Sequence, residues 1–114
     1  MSGRRSRQKG ARGEREAAAL LRGHGYGMKR GCQHAGGFDS PDVAHDSESG
    51  LPDFPLHTEV KRVERLNLYE AMAQAVKDAS GGDKPPCVLH RRNHGEWLLT
   101  MRFEDLVEIL KGND

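Results

Sequence analysis

The segment from Phe54 to Lys61 alternates apolar and polar side chains, and this alternation limits what the chain can fold into. The face it predicts for a strand consists of Phe54, Leu56, Thr58 and Val60. A strand with one apolar face needs neighbouring strands and a second layer that covers that face. A polar turn sequence at 46–50 separates this segment from a shorter strand-like stretch, Val43 to His45. The pattern therefore predicts a hairpin of these two strands inside a larger sheet.

The rest of the chain predicts helices around that sheet. Helical spacing of apolar residues indicates a helix from Ala11 to Gly23, with Ala17, Ala18 and Leu21 on its inner stripe. The remaining predicted elements are a strand at Tyr26–Arg30, a helix at Leu66–Ala79 with Leu68, Met72, Ala75 and Ala79 inward, strands at Cys87–His90 and Trp97–Met101, and a helix from Arg102. This order, αβββαββα, predicts an α/β domain with a central mixed β-sheet flanked by helices.

Charge divides the chain into two parts. Residues 1–31 contain nine Lys or Arg against two Glu, whereas the rest contains nine bases and fifteen acids. A basic end on an acidic body indicates a polyanionic partner such as nucleic acid. We expect residues 1–8 to form a flexible basic arm and residues 9–114 to form a single domain. The predicted DNA-contacting side chains in this basic part are Arg4, Arg5, Arg7, Lys9, Arg12 and Arg30.

The candidate chemistry lies on the Phe54–Lys61 strand. Glu59 and Lys61 project from the same face because side chains alternate along a strand. Asp42 begins the preceding strand, and the predicted hairpin would bring it alongside Glu59. Two such carboxylates suit Mg²⁺, which prefers hard oxygen ligands and keeps several waters. A nearby lysine can orient water or stabilise charge on a phosphate, so the set fits phosphodiester hydrolysis.

Two further carboxylates bear on this site. Asp53 repeats the Pro-Asp dipeptide of Asp42, but six residues of one strand would separate it from Glu59 by roughly 20 Å. Glu14 falls within the inner stripe of the first helix, while Glu16 points away from it. An inward carboxylate needs compensation, which a metal ion or the helix N-terminus would provide.

The sequence resembles the PD-(D/E)xK nuclease superfamily, and most of all archaeal-type Holliday junction resolvases and their phage relatives. The residues that carry the resemblance are Lys9-Gly10, Glu14-Arg15, Leu21, Gly25-Tyr26, Arg30, Pro41-Asp42-Val43-Ala44 and Glu59-Val60-Lys61. The resemblance implies a restriction-endonuclease-like fold. It also implies that Glu14, Asp42 and Glu59 are the acidic metal-site residues and Lys61 the catalytic lysine, with Mg²⁺ or Mn²⁺ as the cofactor and no organic cofactor.

One departure from these resolvases concerns the loop before Asp42. Relatives usually carry a serine there, whereas this loop contains His34, and Ser40 is displaced towards Pro41. Either side chain is a candidate accessory residue. Gln74, on the helix after the lysine strand, is a third, although a glutamine at such a position is commonly just exposed.

These features lead to one leading expectation and several alternatives. We expect a metal-dependent endonuclease that resolves four-way junctions as a homodimer in the cytoplasm of a bacterial, archaeal or phage-infected cell, without membrane association. The alternatives are a PD-(D/E)xK nuclease for nicked, branched or single-stranded DNA, and a non-catalytic nucleic-acid-binding module with the same fold. A zinc site at Cys87, His90 and His94 lacks paired ligand motifs and is a weaker reading.

Overall fold

The computed structural model describes residues 2–31 and 41–112, with side chains from residue 10 onward in those ranges. The elements in chain order are helix α1 (Ser2–Gly23), strands β1 (Met28–Arg30), β2 (Val43–His45) and β3 (His57–Arg62), helix α2 (Leu68–Ala79), strands β4 (Pro86–Arg91) and β5 (Leu98–Met101), and helix α3 (Phe103–Gly112). The observed order confirms the predicted αβββαββα arrangement.

The central sheet is mixed. Strand β3 runs parallel to β4, and β4 runs antiparallel to β5. Strands β1 and β2 form an antiparallel pair, and the Asp42 N–H, just before β2, donates to the Thr58 carbonyl of β3 at 3.2 Å. Val60 and Leu89 pack in one core with α1, whereas Val88 packs in a second core with α2. Helices therefore cover both faces, which confirms the predicted α/β fold with a central mixed sheet flanked by helices.

Helix α1 buries the predicted stripe. Ala17, Ala18 and Leu21 are at most 6% exposed and pack against Met28 and Val60. The helix begins at Ser2 rather than Ala11, so the prediction of its start was wrong. Residues 2–10 contain no proline and no β-branched residue, and Arg, Gln and Lys favour helix, so the helix continues towards the N-terminus.

The predicted hairpin of β2 with Phe54–Lys61 is not formed. Strand β2 pairs with β1 instead, and β3 begins at His57 and pairs with β4. The connection between β2 and β3 holds Pro52 and Pro55, which have no N–H to donate to a ladder. These prolines delay the start of the strand until the chain has passed them.

Strand β3 is an interior strand with both faces covered. Leu56, Thr58 and Val60 are buried on one face, and His57 and Glu59 are buried on the other. A parallel partner requires a crossover connection, and α2 provides it between β3 and β4. Burial on both faces is typical of parallel strands in α/β proteins.

Helix α2 begins at a conventional cap and presents small side chains to the sheet. The Asn67 side-chain oxygen accepts from the Glu70 N–H at 3.1 Å. Its buried residues are Ala71, Ala75 and Ala79, whereas the predicted inward residues Leu68 and Met72 are half-buried. Alanines at this spacing let the helix approach β4 closely, which centres the stripe one row away from the larger residues.

The C-terminal elements leave apolar side chains in solvent. None of the described residues of α3 is buried, and Phe103 and Leu110 are 70% and 66% exposed. Strand β5 is the outer strand of its sheet, and Leu98 is 53% exposed. None of the described helices combines the length and the apolar composition that a bilayer crossing needs.

Candidate active site

Asp42 is held against strand β3 through both its backbone and its side chain. The Gly31 N–H donates to the Asp42 carbonyl at 2.8 Å, and the Asp42 N–H donates to the Thr58 carbonyl at 3.2 Å. The Val60 N–H donates to Asp42 Oδ2 at 2.7 Å. These hydrogen bonds place the Asp42 carboxylate at the edge of β3, next to the residues that flank Val60.

Those flanking residues are Glu59 and Lys61, which lie on the same face of β3. Glu59 is 7% exposed, and Lys61 is half-buried. Burial raises the pKa of Glu59 to about 8, and the charges of Asp42 and Asp78 raise it further while Lys61 opposes the shift. Asp42, Glu59 and Lys61 thus form one electrostatically connected group, although the hairpin expected to bring them together is absent.

The rival aspartate lies elsewhere. Asp53 is exposed in the connection before β3, and its Oδ2 is 2.7 Å from Lys84 Nζ. An exposed ion pair of this kind contributes little to stability. Asp53 therefore has a surface partner of its own, at a distance from the backbone groups that hold Asp42.

Glu14 is buried on the inner side of α1. It is 8% exposed, and Arg30 Nε donates to its Oε1 at 2.7 Å. The preceding residue, Gly13, lies so close to β3 that an added Cβ would be 3.0 Å from the Cβ of Arg62. The helix thereby carries Glu14 towards the sheet, and Arg30, one of the predicted DNA-contacting residues, pairs with it.

Glu16 does not simply point into solvent. Its Oε1 is 2.9 Å from Arg62 Nε and 3.9 Å from Arg91 Nη1, so it links α1 to β3 and β4. The short contact is an ion pair without the angle of a hydrogen bond. Glu16 is therefore a structural residue, which matters for its use as a control.

Asp78 is a residue that the sequence analysis missed. It lies in the last turn of α2, half-buried, and its carboxyl group is hydrogen-bonded to that of Glu59. Gln74, one turn earlier, donates from Nε2 to Asp78 Oδ1 at 3.0 Å. The available signal was the i, i+4 spacing of Gln74 and Asp78 beside the buried alanines. Gln74 itself is exposed and is connected to Glu59 through Asp78.

The donor chemistry of this group suits a divalent cation. Asp42 and Glu59 offer hard carboxylate oxygens, and an ion such as Mg²⁺ completes its shell with waters. Within residues 10–31 and 41–112, no three His, Cys, Asp or Glu side chains converge tightly enough to hold a metal ion. The two carboxylates beside Val60 are therefore the part of the predicted metal site that the described residues bring together.

Several predicted residues fall outside the described side chains. His34 and Ser40 lie in the 32–40 segment, beyond the described residues. The side chains of Arg4, Arg5, Arg7 and Lys9 are also outside the description, although α1 includes their backbone. Arg12, the next basic residue along α1, is exposed.

Comparison with known proteins identifies the family. Residues 5–114 match the family model described as "Phage putative PDDEXK endonuclease". No curated protein and no solved structure matches the chain. Nucleases of the PD-(D/E)xK superfamily generally use divalent metal ions and act on DNA. Because the match spans α1 to α3 and includes the Asp42, Glu59 and Lys61 segments, the chain belongs to this phage PD-(D/E)xK endonuclease family.

Proposed function

We propose that the protein is a divalent-metal-dependent, structure-selective DNA endonuclease that resolves four-way (Holliday) junctions. The observation that carries this proposal is the hydrogen bond from the Val60 N–H to Asp42 Oδ2 at 2.7 Å. It sets the Asp42 carboxylate beside Glu59 and Lys61, the residues that phosphodiester hydrolysis requires. The family match supports a nuclease, and the junction substrate is the more specific part of the proposal.

Each residue has a distinct part in the proposed reaction. Asp42 and Glu59 would hold Mg²⁺ or Mn²⁺, supported by Glu14. Such an ion, when bound, supplies positive charge at the scissile phosphate. The Lys61 ammonium donates hydrogen bonds to the attacking water and to the phosphate oxygens, where negative charge develops. Water attacks phosphorus in line, and the bond to the leaving oxygen breaks.

DNA binding is assigned to the basic N-terminal part. Arg12 is exposed on α1, and Arg4, Arg5, Arg7 and Lys9 precede it in the same helix. Lysine and arginine side chains gain affinity for phosphates by releasing bound counterions. Arg30 has a second role here, because its guanidinium neutralises Glu14 at 2.7 Å and can hold that carboxylate in place.

A two-fold homodimer is part of the proposal. Resolution of a junction needs paired cuts in two strands, and one chain offers one Asp42–Glu59–Lys61 group. A closed pair is the commonest symmetric assembly. The exposed apolar side chains that support such a pair are Tyr69 on α2, Leu98 and Leu99 on β5, and Phe103 and Leu110 on α3.

The runner-up is a nuclease of the same family with another DNA substrate. The loop between Gly31 and Pro41 lacks a serine at the place where resolvases usually carry it, and this departure favours nicked, branched or single-stranded DNA. A non-catalytic binding module is a third candidate, although Glu14, Asp42, Glu59 and Lys61 are all present.

One experiment separates these candidates. End-labelled four-way junction, nicked duplex, branched DNA, single strand and plain duplex are incubated with the protein in Mg²⁺, Mn²⁺ or EDTA. We expect paired cuts on the junction, dependence on the divalent ion and little cleavage of plain duplex. Faster cleavage of another substrate would transfer the proposal to that DNA. Tight junction binding without cleavage in either metal would indicate the binding module.

A further inference from the structure

We propose that Asp78 is a positioning residue for Glu59, held in place by Gln74. This inference rests on the proposed function, since it concerns the carboxylate that would hold the divalent ion. The three side chains form a connected chain in which Gln74 Nε2 donates to Asp78 Oδ1 at 3.0 Å and Asp78 is hydrogen-bonded to Glu59. Asp78 thereby links α2 to the interior strand β3.

The backbone around Asp78 is fixed, so its side chain has a defined reach. Ala75 and Ala79 on either side are 0% and 6% exposed. The helix ends immediately afterwards, with the Ser80 N–H donating to the Lys77 carbonyl at 3.2 Å and the Gly82 N–H to the Ala79 carbonyl at 3.1 Å. A rigid helix terminus is a suitable support for a group that must orient a ligand.

The placement of Asp78 also carries an electrostatic cost. A carboxylate in the last turn of a helix faces the negative end of the helix dipole. A second carboxylate, that of Glu59, lies in contact with it in a site where Glu59 is 7% exposed. Residues that violate local rules in this way are characteristic of functional sites. A role in orienting Glu59 accounts for an acidic residue at this position.

Orientation matters because Glu59 has several rotamers and Asp42 has a fixed one. Asp42 Oδ2 is tied to the Val60 N–H, whereas the side-chain contact of Glu59 is to Asp78. Without Asp78, Glu59 would be free to turn away from Asp42, and the two carboxylates would no longer face a common ion. Loss of such outer contacts typically weakens metal affinity by about 10- to 100-fold.

The test compares Asp78→Ala with Asp78→Asn. Asparagine can accept from Gln74 and donate to Glu59, so it keeps both hydrogen bonds and removes only the charge. We expect Asp78→Ala to raise the Mn²⁺ or Mg²⁺ concentration for half-maximal cleavage by about tenfold. The Asn variant should stay within about threefold of the wild type. Neither change should weaken junction binding measured in EDTA. Asp83→Asn, in the exposed loop after α2, is the matched control.

Two further measurements keep the roles apart. Calorimetric titration of the metal-free protein with Mn²⁺ should show the same order of affinities, and thermal melting should show no loss of stability in Asp78→Ala. A lower melting temperature with unchanged metal dependence would overturn the positioning role and leave a structural one. Equal damage from Asn and Ala would overturn it in favour of direct metal ligation by Asp78. Absence of cleavage and Mn²⁺ binding in the wild type would instead overturn the proposed function, and this inference with it.

Discussion

Glu59 is under opposing influences that make its protonation central to the site. Burial and the neighbouring carboxylates of Asp42 and Asp78 favour its neutral form, and Lys61 favours its charged form. A hydrogen bond between the carboxyl groups of Glu59 and Asp78 requires a proton on one of them. A pKa of about 8 assigns that proton to Glu59 at neutral pH in the metal-free protein.

This raised pKa predicts how stability depends on pH. The folded value of about 8 lies above the ordinary 4.5, so the folded state binds more protons than the unfolded state between these values. The free energy of unfolding of the metal-free protein should therefore fall as pH rises from about 5 to 8. We expect Glu59→Gln to remove a slope worth at least about 1 kcal/mol, or roughly 4–8 °C in Tm. Thermal melts in EDTA across this range test it, and equal slopes in both proteins would contradict it.

The two carboxylates at the edge of β3 predict a separation of chemistry from binding. Asp42→Asn and Glu59→Gln preserve side-chain shape and remove the charge that would hold the divalent ion. Each should lower cleavage of a four-way junction by at least about 100-fold, or about 2.7 kcal/mol in the barrier. Junction affinity in EDTA should remain near that of the wild type.

Asp53→Asn is the matched control for these variants, because Asp53 also follows a proline but pairs with Lys84 at the surface. It should cleave at the wild-type rate. Wild-type turnover in Asp42→Asn together with loss of activity in Asp53→Asn would reassign the aspartate of the site.

At the scale of elements, the end of β1 positions Asp42. Gly31 donates to the Asp42 carbonyl at 2.8 Å, and a Cβ at residue 31 would overlap the carbonyl oxygen of Pro41. The backbone of β1 can approach Pro41 this closely only because residue 31 has no side chain.

Gly31→Ala should therefore push Pro41 and Asp42 away from β3. We expect about 1–3 kcal/mol of destabilisation from the forced backbone shift, together with a reduced cleavage rate. Gly10→Ala is the control, since an added Cβ there has nothing within 4 Å, and alanine in a helix interior should stabilise by about 0.5–1 kcal/mol. Chemical denaturation and junction cleavage measured on both variants decide the matter. Equal stability of the two variants would show that Gly31 is not a close-approach position.

At the scale of the whole molecule, the basic N-terminal part predicts the salt dependence of DNA binding. Replacing Arg4, Arg5 and Arg7 by glutamine keeps good helix formers and removes three positive charges. If all three side chains contact phosphates, the log–log salt slope of duplex binding should become shallower by about 2–3. Fluorescence anisotropy at several salt concentrations measures the slope. An unchanged slope would mean that this segment does not contact DNA.

The exposed apolar surface predicts self-association. Phe103 and Leu110 on α3 are 70% and 66% exposed, which is costly for a helix that remains alone in water. We expect light scattering at micromolar concentration to give twice the chain mass of 12.7 kDa, and Phe103→Asp with Leu110→Asp to return it to one. Glu104→Gln, on the same helix, should leave the mass unchanged. A stable monomer that still makes paired cuts on a junction would defeat the dimer.

The sequence by itself determined the elements and the family of this protein. The order αβββαββα, the stripe of Ala17, Ala18 and Leu21, and the Glu59-Val60-Lys61 strand follow from periodicities of 3.6 and 2 that neighbouring residues impose on one another. The resemblance carried by Pro41-Asp42 and Glu59-Val60-Lys61 likewise needs only linear order and spacing. Such features are local, so they survive without knowledge of what packs against them.

Tertiary structure alone decided the strand partners and the surroundings of Glu59. The pairing of β2 with β1, rather than with β3, depends on which backbone donors remain after Pro52 and Pro55. The contact of Glu59 with Asp78 crosses from β3 to the far end of α2, and no periodicity within either element predicts it. Chain pairing and burial are set by contacts between distant segments. For that reason the sequence identified Asp42 and Glu59 as partners, whereas only the packed chain revealed how they are held.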